Sequence, residues 1–209
     1  VFEGIDADEL KINTRRQQWE TLPDGAALLR VRRETVGSHA WKPEESAKAL
    51  EHTSPDERIQ SGDARIVELA RTITAGSTTI EDAAGKLLHW VYDEVEKKYT
   101  PSFSNALDVL DSMEGDCGEH AVLFVALARA VGIPAREVTG IVYAPEIGGF
   151  GFHAWAEVLA GDEWLSVDPS WGQFPADVTH LAFAQGGAQA QMKIAALIGR
   201  LKIREIKTE

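Results

Sequence analysis

The chain has 209 residues of ordinary apolar content and a formal net charge of −12, enough to bury one sizeable core but too short for two full domains. That charge disfavours nucleic acid and anionic membrane surfaces, both polyanions, as partners. A single cysteine excludes an internal disulfide framework, so stability must come from the core.

No apolar run reaches the roughly 18–20 residues of a membrane-spanning helix, and no basic and apolar leader opens the chain, so no direct membrane insertion is expected of this segment. The start at Val1-Phe2-Glu3 suits a processed chain or an excised piece. The expectation is the periplasmic or otherwise extracytoplasmic part of a longer, membrane-associated bacterial protein.

Residues 1–55 mix charge, Gly and Pro without sustained periodicity, with turns at Pro23-Asp24-Gly25 and Lys42-Pro43, and read as an N-terminal arm packed on a domain spanning 56–209. The one short basic cluster, Arg30-Val31-Arg32-Arg33, reads as a solvated flank. Helical spacing then sets in. Ile66, Leu69, Ala70 and Ile73 form one stripe, and Thr78-Thr79-Ile80-Glu81 opens a second helix whose stripe is Leu87, Leu88, Val91 and Val95. A loop at 101–105 precedes a short helix over 106–110.

In Gly115-Asp116-Cys117-Gly118-Glu119, Asp116 as N-cap places Glu119 at the third helical position, a capping box, and makes Cys117 the first helical residue. Residues 121–131 are apolar nearly all round, so this helix is expected to be central and buried. Gly132 ends it and Pro134 prevents its continuation. Strands follow at 136–143, 152–159, 164–167, near Leu181 and at 201–206, and Gly186-Gly187-Ala188-Gln189-Ala190-Gln191 reads as a loop or weak helix start. The class is α+β, helices first and an antiparallel sheet after.

Thiol chemistry needs a thiolate, and an ordinary cysteine, with a pKa of about 8.5, supplies little at neutral pH. At a helix start the free N–H groups and the dipole favour an anionic sulfur. A base can be located on the hairpin that follows. Gly161-Asp162 suits a two-residue type II′ turn that pairs Ala160 with Glu163 and, counting back, Trp155 with Asp168. One face then holds Phe152, Ala154, Ala156, Val158, Leu165 and Val167, suited to the core. The other holds His153, Trp155, Glu157, Trp164, Ser166 and Asp168. His153 and Asp168 become diagonal neighbours about 7–8 Å apart at the backbone, a span their side chains can bridge.

This reading makes Cys117 the nucleophile, His153 its base and Asp168 the group that orients the imidazole. The Cys117 N–H is one oxyanion donor, and Asn105 or Ser104 is the candidate second. Asp116, Glu119 and His120 support the site from behind, His120 through a hydrogen-bonded ring beneath it rather than as the base. Trp155 and Trp171 either line an acyl-donor channel or cover core. His39, His52, His89 and His180 lack the short spacing of a metal site, so neither metal nor other cofactor is expected.

Gly115 to Ala121, then Gly132-Ile133-Pro134-Ala135-Arg136, Phe152-His153-Ala154-Trp155 and Val167-Asp168-Pro169 resemble, in order and spacing, the successive motifs of the transglutaminase-like superfamily over roughly residues 80–185. The resemblance implies a papain/transglutaminase-like fold, with the central buried helix carrying the cysteine at its N-terminus and packed on an antiparallel sheet. By position, the family's Cys-His-Asp triad falls on Cys117, His153 and Asp168. Glu119-His120 is similar to a bacterial branch of the superfamily. The tryptophan that serves the oxyanion in the animal cross-linking enzymes has its nearest equivalent in Phe103, which has no N–H to donate. The expected function is cysteine-dependent acyl transfer at an amide of a protein or peptide through a thioester, with water the acceptor ahead of an amine. The alternative is a non-catalytic scaffold or peptide-binding module of the same fold.

Overall fold

A computed structural model describes residues 1–4, 12–41, 51–99, 104–187 and 200–207. In chain order its elements are β1 (Phe2–Glu3), β2 (Gln17–Thr21), β3 (Ala27–Val31), α1 (Ala64–Ile73), α2 (Ile80–Glu94), β4 (Glu96–Lys97), α3 (Ala106–Ser112), β5 (Glu114–Gly115), α4 (Cys117–Ala130), β6 (Ala135–Ala144), β7 (Gly149–Ala160), β8 (Glu163–Val167), β9 (Leu181–Gln185) and β10 (Lys202–Ile203). The chain divides into two compact units, one of Val1–Arg33, Val138–Phe152 and Val178–Glu209, the other of Glu34–Glu137 and His153–Asp177. Each has its own apolar core.

The larger unit holds the four helices of the described residues, each opened by a side-chain cap: Asp63, Thr79, Asn105 and Asp116 accept from backbone N–H groups of their own first turns. Around α4 the other three helices pack, and every residue from Glu119 to Ala128 is buried. The apolar stripe of α2, with Leu87, Leu88 and Val91, meets it, as do Ala156, Val158, Leu165 and Val167 of β7 and β8. Each of these Leu and Val side chains contributes about 1.5–3 kcal/mol on burial. The helix stops in a Schellman motif: Gly132 turns left-handed at φ 78, its N–H donates to Arg129 O, and the Ile133 N–H donates to Ala128 O.

Strand order in the second sheet is β8-β7-β6-β9. The β7–β8 ladder, in the larger unit, pairs Ala160 with Glu163, the register a two-residue turn imposes, with Gly161 at φ 63. Its two faces depart from the alternation expected above. Phe152, placed on the core face, is 46% exposed, whereas Trp155, Glu157 and Ser166, placed on the polar face, are buried. The polar face is covered by its own partners. Glu34 accepts from the Ser166 N–H and hydroxyl, and Arg136 pairs with Glu157 at 2.7 Å while lying 3.8 Å over the Trp164 ring.

In the smaller unit, strands lie in the order β10-β1-β3-β2, and β6 pairs antiparallel with β9. Three of these strands fall where an arm without periodicity was expected. The alternation in β2 is concealed because one of its two buried residues is Gln17. That side chain completes a sheet-like pair: its amide nitrogen donates to Ala182 O at 2.6 Å and its oxygen accepts from Ala182 N at 2.8 Å. Phe2, Trp19 and Phe183 close the core, with Phe2–Trp19 centroids 5.4 Å apart. The strand expected over 201–206 is confined to Lys202–Ile203. The turn at Lys42-Pro43, Phe103 and residues 188–191 lie outside the described residues. Among the described residues no helix is long and apolar enough to cross a membrane.

Phe124, fully buried at the centre of α4, supplies a test of this packing. Phe124→Ala should cost about 3–5 kcal/mol in urea unfolding; a loss under about 1 kcal/mol would show that α4 is not the central helix.

Candidate active site

Cys117 is half-buried at the first position of α4. The approach to it is held rigidly. Helix α3 ends at Met113 in a left-handed conformation, φ 53, which is uncommon for a residue with a Cβ. The next residues pair in parallel with β4, the Glu96 N–H donating to Met113 O and the Lys98 N–H to Gly115 O. The capping box is then complete: Asp116 accepts from the Gly118 N–H at 2.9 Å, and Glu119 reaches back to accept from the Asp116 N–H at 3.2 Å. Gly115 is required by this return path, since a Cβ there would lie 2.2 Å from the Cβ of Glu119. Burial first, then the neighbouring Glu119 carboxylate, raises the Asp116 carboxyl to about 6. Burial acts on Glu119 in the same upward sense, but hydrogen bonds from Asp116 and from backbone N–H groups, Ser104 among them, outweigh it and hold Glu119 low. Of the two carboxyls, Asp116 is the one that takes up a proton first as pH falls.

His153 and Asp168 meet: His153 Nε2 donates to Asp168 Oδ2 at 2.7 Å. The carboxylate is wholly buried, and its other oxygen accepts from the Ser170 N–H and hydroxyl and from the Trp171 N–H at 2.8–3.1 Å, so all its charge is met by donors. The Cys117 thiol is near enough to act on the charge of this ring, and both side chains line one cleft. The ring lies between Trp155, stacked at 6.2 Å, and Trp171, tilted at 5.0 Å. Burial alone would push its pKa down. The hydrogen bonds and negative charge of Asp168 and Cys117 outweigh burial and raise it to about 9.

A cleft of about 270 Å³ opens over Cys117, lined also by Lys97, Lys98, Tyr99, His153, Ser170 and Trp171. Trp171 therefore lines it, whereas Trp155 is 1% exposed and backs the histidine. His120 lies beneath the cleft, its Nδ1–H donating to Asp116 O at 2.7 Å and its Nε2 3.3 Å from Val95 O. Burial above all lowers the pKa of this imidazole, against the opposing pull of the two carbonyl hydrogen bonds and, less, of the Asp168 charge.

The two residues expected to serve the oxyanion make other contacts as well. The Asn105 amide oxygen caps α3, accepting from the Leu107 and Asp108 N–H groups, and the Ser104 N–H is directed to Glu119 at 3.4 Å. Neither lines the cleft. Ser170 was missed by the sequence reading; its signal was the Asp168-Pro-Ser170 spacing, since a buried aspartate commonly accepts from the backbone two residues on. A larger depression beside α1, lined by Ala64, Val67, Glu68, Arg71 and Thr72, is one helix face without chemistry.

Residues 67–169 match the model of the transglutaminase-like superfamily, and the cysteine helix and the hairpin that carry the site lie within that match. Over 93 residues, 39% of the chain, it is 32% identical to a peptide-N(4)-(N-acetyl-beta-glucosaminyl)asparagine amidase of Gallus gallus, of whose length the match spans 13%. Among solved structures it is similar to a candidate cysteine protease from Cytophaga hutchinsonii, with a TM-score of 0.59 and 24% identity, covering 75% of this chain and 50% of that one. The periplasmic domain of TgpA from Pseudomonas aeruginosa is similar at a TM-score of 0.47 and 24% identity, covering 61% of this chain and 50% of that one.

The raised imidazole carries a stability signature. A His153 pKa of about 9, above the 6.5 of an unperturbed histidine, contributes stability that is fully present below pH 6.5 and lost as pH rises through 9, on the order of 3 kcal/mol. Unfolding free energies measured from pH 6 to 10 should fall more steeply for the wild type than for His153→Gln. Parallel curves would exclude the raised value.

Proposed function

We propose that the protein is a cysteine-dependent acyl-transfer enzyme acting on amide bonds of a protein or peptide. The observation that carries the reading is an imidazole bonded to a buried, fully hydrogen-bonded aspartate and lining one cleft with the thiol at a helix start. Cys117 Sγ attacks the amide carbonyl, and the tetrahedral adduct forms beside the N–H of Cys117 at the positive end of α4. As the adduct collapses the C–N bond breaks, and the amine departs with the proton held by His153, leaving a thioester on Cys117. Water, deprotonated by His153, then adds to the thioester carbonyl; the C–S bond breaks, the proton returns to the thiol, and a carboxylic acid is released. Asp168 holds the ring in the tautomer and orientation both steps need.

Hydrolysis is favoured over transfer to an amine, which would be the transglutaminase reaction. The Gallus gallus relative is named an amidase, and the 270 Å³ cleft is open enough for water to reach the sulfur.

Iodoacetamide labelling of Cys117 across pH tests the thiol and imidazole pair independently of any substrate. Labelling should persist well below pH 8 in the wild type and shift to a free-thiol profile in His153→Ala. An inert thiol, or a profile indifferent to His153, would favour the scaffold reading. With a peptide amide that is turned over, Cys117→Ala should reduce kcat by at least about 10³-fold; undiminished turnover would remove the hypothesis.

A further inference from the structure

Two consecutive lysines of the cleft wall have different fates. Lys98 is neutralised by Glu114, Nζ to Oε2 at 2.7 Å. Lys97 has no carboxylate partner among the described residues; its ammonium lies 3.8 Å from the centre of the Tyr92 ring. The chain carries 33 acidic against 21 basic residues, so carboxylates outnumber the cations they could neutralise.

The seat of Lys97 is built into the fold. Tyr92 belongs to the last turn of α2, and its ring packs on the backbone of Gly172, where a Cβ would lie 3.1 Å from the ring edge. Gly172 itself has φ 68, which a glycine adopts without cost. The residue that follows Trp171 in the cleft wall is thus shaped to admit the ring that supports the ammonium. An aromatic face holds a cation without discharging it, leaving the outward hydrogens free for an anion. The positive charge is felt in the site: burial chiefly depresses the His120 imidazole, and Lys97 acts in the same direction.

We infer that Lys97 is a specificity-determining residue that receives a carboxylate of the substrate, so that the amide acted on lies in an acidic peptide, near either an acidic side chain or a free C-terminus. This rests on the reading of Cys117 as the nucleophile. Lys97 does not enter the bond changes; it sets where the anion sits while Cys117 is presented with the carbonyl.

Two alkylating reagents of nearly equal size separate the two ideas. Iodoacetate carries the carboxylate and iodoacetamide does not. In the full chain, Lys97→Gln should slow labelling of Cys117 by iodoacetate about three- to tenfold, as expected for one charge removed at a few ångström in partly aqueous surroundings, with iodoacetamide within a factor of about two. Lys97→Glu should slow it further, Lys97→Arg should restore it, and Lys98→Gln should change it little. Unchanged iodoacetamide labelling also shows that the variant is folded. If the iodoacetate rates do not respond to Lys97, or both reagents respond alike, the anion subsite is overturned while the thiol reading stands; if neither reagent labels the wild type, both fall. With peptides, an amidated peptide carrying Glu near the reacting amide, and its Gln counterpart with a free C-terminus, distinguish the two sources of the carboxylate. The preferred one should show a raised KM and little change in kcat in Lys97→Gln, and equal KM values in wild type and variant for both peptides would overturn the assignment.

Discussion

Everything around the site follows from one conflict: helix α4 must be buried along its length, yet its first residue must face a cleft. Burial is what lets three helices and a hairpin close a single core around it. It also removes water from the donors at its N-terminus, and a buried N–H without a partner costs more than an ordinary hydrogen bond returns. The capping box answers this by satisfying those donors with Asp116 and Glu119, and Gly115 leaves the space through which Glu119 returns. The sulfur of Cys117 is thereby fixed at the positive end of a helix that cannot shift.

Two histidines close to that helix start illustrate how burial is decided by what else is present. Both rings are buried. The hydrogen-bond partners of the His120 ring are carbonyl oxygens, so desolvation prevails and its pKa falls. His153 meets Asp168 and Cys117, and negative charge at hydrogen-bonding range prevails over the same desolvation. The tryptophans on either side of His153 add a different constraint: they leave the ring little freedom to rotate away from the groups it bonds. Asp168 in turn is held by Ser170 and Trp171 in a turn of the chain that also supplies the cleft wall.

The likeness to the transglutaminase-like superfamily takes in the helix and the hairpin; what the cleft wall offers a substrate depends on this chain's own residues. Here that wall includes Lys97, Lys98 and Tyr99 from the segment after α2, tied through β4 to the strand that leads into Cys117. Substrate selection and thiol placement therefore share one short parallel ladder. A change in the wall can reach the nucleophile through Gly115, two residues away.

The local periodicities determined much of this protein in advance. The D-x-x-E pattern placed the start of α4, because a capping box depends only on residues three apart; the two-residue turn at Gly161 set the hairpin register, because side chains alternate with a period of two, and so brought His153 within reach of Asp168. Tertiary structure decided what lies across from each residue. Gln17 conceals a strand because its partner, Ala182, is 165 residues distant; Trp155 is buried and stacked against His153; Asn105 turned to capping its own helix; and among the described residues Lys97 has no acidic partner while Lys98 found one. Short-range pattern sets conformation through hydrogen bonds that close within a few residues, whereas burial and charge depend on neighbours that only the folded chain supplies.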